Sequence, residues 1–250
     1  MIDKNKLLDI LDKRNVAEDL DKDVRSKIAQ QVIDGFKIDQ ESMASWLDLN
    51  MRAMEIIHHK GKLAQQKNKP FANSARVFYP LLAPAVIQST ARIVPHFKRN
   101  NEAISVTANG DDPTGEIQQK AQRVNKYLNF VLLQDSDWML HNYKLASILT
   151  SWGHCFRRMR YNELKDRVDD EILHPKDVII NNASPDLASA ERITILNYLS
   201  KSDLFTQREL GYFNSDLDTR QLSGDDYVGV ENDPKDDRPI YEILEQYCYY

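Results

Sequence analysis

Cysteine is scarce in this sequence, with only Cys155 and Cys248 among 250 residues. Two isolated cysteines cannot form a disulfide framework, and neither belongs to a Cys-x-x-Cys pair. The chain therefore lacks the cysteine patterns typical of small secreted domains. This usage favours a reducing cytosol.

Long apolar runs are also absent. A membrane-spanning helix needs about 20 consecutive apolar residues, and the most apolar stretch, 77–94, is interrupted by Gln88, Ser89, Thr90 and Arg92. The N-terminus has no apolar core behind it and is not a secretory signal. The sequence predicts no association with a membrane.

Glycine is rare as well, at eight residues, and the glycine-rich motifs of nucleotide chemistry do not occur. The sequence contains no Gly-x-x-x-x-Gly-Lys-Ser/Thr loop, no Gly-x-Gly-x-x-Gly turn and no Gly-x-Ser-x-Gly motif. His154 precedes Cys155, but adjacent side chains on an extended chain face opposite ways, so His154 is poorly placed to activate the thiol. The sequence predicts no catalysis and no cofactor.

The formal net charge is −5, and the charges are unevenly distributed. Residues 61–110 contain seven Lys or Arg against one acid, Glu102, whereas residues 171–250 contain sixteen acids against seven bases. Phosphate binding requires bases clustered on one face, and the bases here are interrupted by apolar residues, which favours a solvated surface over a DNA-binding domain. The two regions are expected to attract different partners, or each other in neighbouring copies.

Apolar residues at helical spacing predict a helical first half. The first helix has Asp23 as its expected N-cap and Gly35 near its end. Its apolar stripe consists of Val24, Ile28, Val32 and Phe36. A second helix to about His59 has the stripe Met43, Trp46 or Leu47, Met51 and Met54. Such residues indicate a core or a subunit contact.

Two further segments of the first half have identifiable signals. Pro80 and Pro84 fit only the first turns of a helix, which should consolidate after Ala83 and stop by Pro95. Residues 104–107 alternate like a strand.

Two more helices are expected to follow. Thr114 should cap the first of them, whose stripe is Ile117, Val124, Leu128 and Val131. Ser136 and Asp137 should cap the second, which carries Trp138 and ends at Gly153 in a left-handed conformation.

The sequence of the second half predicts both strands and helices. Segments 155–161 and 168–173 predict a hairpin in which Arg157, Arg158 and Arg160 pair with Asp169, Asp170 and Glu171. Residues 178–180 should form a short buried strand, and residues 193–199 a strand or a helix. Ser202 is expected to cap a helix that ends at Gly211.

The last part of the sequence is acidic and then strand-like. Residues 214–238 contain eight acids and three bases and predict an acidic loop. Residues 240–250 alternate as a strand. Because a protein rarely ends on an unpaired apolar strand, we expect a longer gene product that continues beyond Tyr250.

The nearest approach to a catalytic set is nuclease-like. In such enzymes an acid and a Glu-x-Lys triplet on neighbouring strands hold a metal for phosphodiester hydrolysis. Glu163 and Lys165 supply the triplet, Asp186 the leading acid and Asp177 a further carboxylate, but the order is reversed and Glu163 lies in a turn. Three histidines lack a Cys or acid at ligand spacing and are interpreted as helix-face residues: His58, His59 and His141.

A succession of short motifs extends from about residue 40 to residue 250. In chain order these are 79–82 (Tyr-Pro-Leu-Leu), 91–95, Trp138, 152–155 (Trp-Gly-His-Cys), 177–181, 188–194, 199–204 and 211–213. The order resembles that in the portal proteins of short-tailed phages and related prophages, where a Tyr-Pro helix, two helices, a hairpin and a Pro-Asp turn follow one another. The order of the motifs carries the resemblance.

The resemblance implies an α+β fold, with a mainly helical N-terminal half and a small mixed or antiparallel β section like the portal wing. It implies an N-terminal helical section over 1–60 and a wing-like body over 61–250, in one continuous domain of a longer chain. The stem, clip and crown are expected beyond residue 250.

The resemblance also implies a structural role without enzymatic activity. The chain is expected to form a homo-oligomeric ring, a dodecamer, at one capsid vertex of the virion, assembled in the cytoplasm of a bacterial host. Double-stranded DNA would pass through it without sequence specificity during packaging and ejection. The other expected partners are the terminase large subunit, capsid and scaffolding proteins, and head-to-tail adaptor proteins.

A closed ring of identical copies needs a heterologous interface, in which two different faces meet. We expect the bases Arg92, Lys98 and Arg99 to pair with acids of a neighbouring copy, namely Asp177, Asp186 and Glu191. Two alternatives are a metal-dependent nucleic-acid hydrolase and a cytosolic helical adaptor that forms no ring.

Overall fold

The computed structural model describes residues 15–58, 80–98, 100–162, 166–214 and 240–248. The described chain is about 56% helical and contains two small antiparallel sheets, which confirms the predicted mixed α+β class. It forms two compact units, a first unit of residues 1–44 and 177–250 and a second unit of residues 45–176. The predicted division at residue 60 falls outside the described residues and stays a prediction.

The elements follow one another in a mixed order. The helices are α1 (Lys22–Ile57), α2 (Leu82–Ile93), α3 (Glu116–Phe130), α4 (Trp138–Trp152) and α5 (Lys201–Glu209). The strands are β1 (Phe156–Asn162), β2 (Arg167–Leu173), β3 (Val178–Ile180), β4 (Arg192–Ser200) and β5 (Ile240–Cys248). The predicted strand at 178–180 is therefore confirmed, and the ambiguous segment 193–199 is a strand.

The two sheets belong to different units. In the second unit β1 and β2 pair antiparallel as the predicted hairpin, with Arg158 opposite Glu171. In the first unit β4 lies between β3 and β5, antiparallel to both. The predicted C-terminal strand is confirmed as far as Cys248, whereas all of the predicted acidic loop except Asn214 lies outside the described residues.

The two helices predicted between Asp23 and His59 are one helix, α1, which has 36 residues. Gly35 does not end it. Gly35 is buried, and a Cβ atom built on it would lie 3.0 Å from Nε of Arg192. The glycine lets the Arg192 side chain lie against the helix, and the prediction of a break there was wrong because this packing role leaves no sign in the local pattern.

Only part of the predicted apolar stripe on α1 is covered. Val24 and Ile28 are exposed, whereas the buried residues of α1 are Gly35, Asp39 and Met43. The helix begins before Asp23, and the Asp21 carbonyl accepts its first backbone hydrogen bond.

Two predicted N-caps are wrong in position. For α3 the cap is not Thr114, because the carboxylate of Asp112 accepts a hydrogen bond from a backbone N–H of the first turn at 2.8 Å. For α5 the cap is Ser200 rather than Ser202, in a capping box with Asp203. In both cases the side chain that reaches the free N–H groups lies two residues upstream of the predicted one.

The predicted strand at 104–107 does not form. Its backbone hydrogen bonds go instead to two side chains of α3, Asn125 and Asn129. Asn125 Oδ1 accepts from the N–H of Val106 at 2.9 Å, and Asn129 Nδ2 donates to the carbonyl of Ile104 at 2.9 Å. The alternation was real, but the partner of the segment is a helix rather than a second strand.

The buried hydrophobic residues lie mainly around the three-stranded sheet and the end of α4. In the first unit they are Met43, Val178, Ile179, Ala190, Ile195, Leu204 and Tyr241, and in the second unit Ala146, Trp152 and Leu173. Within the described ranges, no helix combines the length and apolar character that a membrane span requires.

Candidate functional site

The bases predicted to form a subunit interface lie in the second unit. Arg92 is exposed in the last turn of α2, and Lys98 is half-buried just after the 3₁₀ turn Val94–Phe97. Arg99 lies outside the described residues. Within the described part of the chain, the side chains of Arg92 and Lys98 form no ion pair.

The predicted interface acids lie in the first unit. Asp177 is half-buried at the end of the 3₁₀ turn Pro175–Asp177. Asp186 is exposed, and hydrogen bonds from the side chain and backbone N–H of Ser189 lower the pKa of its carboxyl. Glu191 is exposed, with its carboxylate 3.6 Å from the guanidinium of Arg192. Asp186 thus carries a fixed negative charge on an exposed turn.

Arg157 and Arg158 pair across the β1–β2 hairpin, as predicted, whereas among the described residues Arg160 forms no ion pair. Arg158 lies 2.7 Å from Glu171, and Arg157 forms a two-point hydrogen bond with Asp170. Burial opposes ionisation of Asp170, but the hydrogen bond and charge of Arg157, followed by those of His141, lower the pKa of its carboxyl. These charges are satisfied within the hairpin and its neighbouring helix and need no ligand.

An aromatic and histidine cluster lies at the end of α4. The Trp152 ring packs against Trp46 at 6.1 Å and against His174, edge-on, at 4.5 Å between ring centroids. His154 lies 4.8 Å from Trp46 and 5.3 Å from Phe156. Burial, followed by the charge of a nearby lysine, lowers the pKa of His174 from 6.5 to about 4. Trp46 was predicted as a core or contact residue, whereas Trp152 and the histidines His154 and His174 were not.

The Cys155 thiol is not activated. Burial raises the pKa of this thiol, and its Sγ lies 3.9 Å from the carbonyl oxygen of Leu173. His154 packs among aromatic rings, and burial lowers its pKa. A raised pKa disfavours the thiolate form of Cys155, which is the nucleophilic form of a thiol.

Sequence reasoning missed a buried ion pair in the first unit. The Asp39 side chain is 1% exposed, and its two oxygens each lie 3.1 Å from the guanidinium of Arg192. Asn181 donates a further hydrogen bond to Asp39 at 3.1 Å. The hydrogen bonds that the Arg192 guanidinium donates to Asp39 raise the pKa of Arg192. The available sequence signal was an acid on the same face of α1 as Gly35 and Met43.

The residues of the nuclease alternative do not form a described site. Glu163 and Lys165 lie outside the described residues, and Asp186 caps a turn through Ser189. No group of three or more His, Cys, Asp or Glu side chains within the described ranges is arranged to hold a metal ion.

Exposed apolar side chains are the most extensive unassigned feature. Among the described residues, ten hydrophobic residues are buried, whereas twenty-five large hydrophobic residues are exposed. They include Leu81 at 72%, Ile87 at 67% and Tyr127 at 67%.

The sequence matches no protein-family model, and no curated protein matches it. The candidate interface therefore rests on the residues of this chain alone.

Proposed function

We propose that this chain is part of a portal subunit of a tailed bacteriophage. The subunit assembles with identical copies into a ring at one capsid vertex of the virion. The order of motifs from residue 40 to residue 250 supports the proposal, and so does the mixed α+β class. The observation that carries it is the excess of exposed over buried apolar side chains.

The exposed apolar residues are concentrated on helices. On α3, the predicted core positions Ile117 and Val124 are 41% and 46% exposed, and α3 contains no buried residue. A helix that is amphipathic but uncovered gains its stability from a partner that covers the apolar stripe. In a ring, the neighbouring copy supplies that cover on every subunit.

The charge distribution fits a heterologous contact. A ring joins one face of each copy to a different face of the next, so the two faces can carry opposite charge. Arg92 and Lys98 have no ion-pair partner among the described residues, and the acids Asp186 and Glu191 are exposed. These charges suit pairing between neighbouring copies.

The remaining partners of the chain are those that a portal ring would require. Double-stranded DNA passes through the ring without sequence specificity, driven by the terminase large subunit. The capsid, scaffolding proteins and head-to-tail adaptors bind its outer surfaces. An acidic channel wall would prevent DNA from adhering during passage, because tight contacts to phosphates would act as a brake.

Negative-stain electron microscopy of the purified full-length gene product tests the proposal. We expect rings with a central hole. Monomers at high protein concentration would overturn it and favour a non-ring adaptor. A parallel incubation with double-stranded DNA and Mg²⁺ tests the nuclease alternative, since cleavage that is lost in Asp177→Ala would replace the portal proposal by an enzyme.

A further inference from the structure

An asparagine followed directly by a glycine occurs once in the sequence, at Asn109 and Gly110. The pair lies in the connection between the extended segment 103–106 and α3, and both residues are exposed. Gly110 has a φ of +105°, and a Cβ atom built on it would meet no atom beyond its chain neighbours within 4 Å. The main chain at this pair is therefore open to solvent.

The side chain of Asn109 and the N–H of Gly110 are not held in place. Among the described residues, no hydrogen bond or ion pair engages either group. The nearest hydrogen-bonded positions on the two sides are the Val106 N–H and the Asp112 carboxylate, both bound to α3. The torsions of Asn109 can therefore change without breaking a hydrogen bond of its own.

We propose that Asn109 is a site of spontaneous deamidation, with the backbone nitrogen of Gly110 as the nucleophile. This nitrogen forms a bond to Cγ of Asn109, and its proton passes through water to Nδ2. The Cγ–Nδ2 bond breaks, ammonia leaves, and a five-membered succinimide ring remains. A water molecule then opens the ring at either carbonyl carbon, which gives aspartate or isoaspartate. Water is the only co-reactant.

The glycine makes this pair the reactive one. Ring closure brings the Gly110 nitrogen against Cγ of Asn109, and a side chain on the following residue would crowd that approach. Asn101 shows the contrast, because it is exposed in a nearby turn but precedes Glu102, which carries a side chain. Exposure is therefore common to both asparagines, and the following glycine distinguishes Asn109.

The fold protects two other positions of related chemistry. Asp34 and Gly35 could close the same ring with loss of water, but both lie within α1, and Gly35 is buried. A helical backbone keeps its N–H groups in the hydrogen-bond ladder, where they do not attack the preceding side chain. Asn214 precedes a serine, and its side chain accepts a hydrogen bond from Asn15 at 2.8 Å. At Asn109 neither kind of protection applies.

Deamidation changes the connection in charge and in length. It adds a carboxylate next to Asp111 and Asp112. Isoaspartate also routes the main chain through the former side chain, which inserts one carbon between Val106 and Asp112, the two positions bound to α3. The inference does not depend on the proposed ring, because the reaction needs one chain and water.

Peptide mapping of the unmodified full-length protein tests the proposal. Trypsin releases residues 100–120 as one peptide, which contains Asn109 together with Asn100 and Asn101 as internal controls. After incubation of the folded protein in neutral buffer, we expect a gain of one mass unit at Asn109 and none at Asn101, relative to a sample digested at once. The aspartate and isoaspartate forms should separate by reversed-phase chromatography. Asn109→Gln, which would have to close a larger ring, should show no gain at position 109.

A synthetic peptide of residues 100–120 separates the chemistry from the fold. We expect it to deamidate at Asn109, as the folded protein does. If the peptide reacts while Asn109 of the folded protein stays unchanged, the fold protects the pair and the inference is wrong. Equal gains at Asn109 and Asn101 in the folded protein would also contradict it, because the glycine would then not select the site. Since the unmodified protein gives the result, the test does not depend on whether a variant folds.

Discussion

The ion pair between Asp39 and Arg192 joins α1 to β4 within the first unit. Removing one partner of a buried pair costs more than the pair itself contributes, because the other charge remains without compensation. We expect Asp39→Ala to lower the free energy of unfolding by about 3 kcal/mol. Urea unfolding followed by far-ultraviolet circular dichroism measures this change.

The neighbouring acid Asp34 provides the control for that measurement. Asp34 is exposed on the same helix, and among the described residues it accepts a hydrogen bond only from Gln30, one turn away. Asp34→Ala should therefore change the free energy of unfolding by less than about 0.5 kcal/mol. Equal effects of Asp34→Ala and Asp39→Ala would show that the buried pair does not stabilise the unit.

His174 makes the stability of the second unit dependent on pH. Its pKa falls from 6.5 in the unfolded chain to about 4 in the folded chain, through burial and then the charge of Lys176. Above pH 6.5 both states are neutral and the stabilisation is complete. As the pH falls from 6.5 towards 4, only the unfolded state gains a proton, so stability decreases.

We expect the urea midpoint of the unmodified chain to fall between pH 6.5 and about 4. In His174→Phe this decrease should be smaller, because the ring keeps its edge-on contact with Trp152 but does not titrate. Tryptophan fluorescence during urea unfolding measures the midpoint. The exposed His96 gives a control variant, His96→Phe, which should keep the full decrease. Parallel profiles for the unmodified chain and His174→Phe would refute the role of His174.

The asparagine pair on α3, Asn125 and Asn129, holds the extended segment 103–106 through side-chain hydrogen bonds to its backbone. Asn129→Leu removes the acceptor for two N–H groups and the donor to the Ile104 carbonyl. We expect it to lower the free energy of unfolding by about 2 kcal/mol and to speed hydrogen exchange of the amides of residues 103–106. Asn129→Asp keeps the acceptor and loses only the donor, so its effect should be smaller. If the two variants exchange at the same rate as the unmodified chain, Asn129 does not hold the segment.

The sequence was sufficient to predict those helices and strands whose signals lie in neighbouring residues of the chain. The hairpin follows from charges and alternation, and the end of α4 follows from Gly153, whose φ of +85° favours glycine. The sequence did not predict that α1 continues through Gly35, because the reason is a side chain more than 150 positions away, Arg192. The helix-held segment 104–107 was missed for the same kind of reason, since an alternating pattern does not specify whether its partner is a strand or a helix.

The candidate interface was predicted from charge alone. The structure adds which of the charged side chains already have a partner. It shows that Arg157 and Arg158 of the hairpin already have acidic partners, whereas Arg92 and Lys98 have none among the described residues. It also shows that Ile117 and Val124 of the predicted α3 stripe are exposed, whereas Leu128 and Val131 are half-buried. Periodicity identifies an apolar face but cannot tell a core face from a subunit contact, because both bury the same side chains in the final assembly.

Charge reversal tests the assembly of the whole molecule. We expect the double variant Arg92→Glu, Lys98→Glu to weaken self-association by at least about tenfold, because each reversal turns an attraction to acids of the next copy into a repulsion. Sedimentation velocity at several salt concentrations measures the effect. Self-association of the unmodified chain should weaken with salt, because the screening length shortens from about 10 Å at 0.1 M to about 3 Å at 1 M. Lys144→Glu changes an exposed base of the same unit outside the predicted interface and should leave association unchanged. If the double variant and Lys144→Glu assemble alike, with the same salt dependence as the unmodified chain, the contact between copies does not involve these bases.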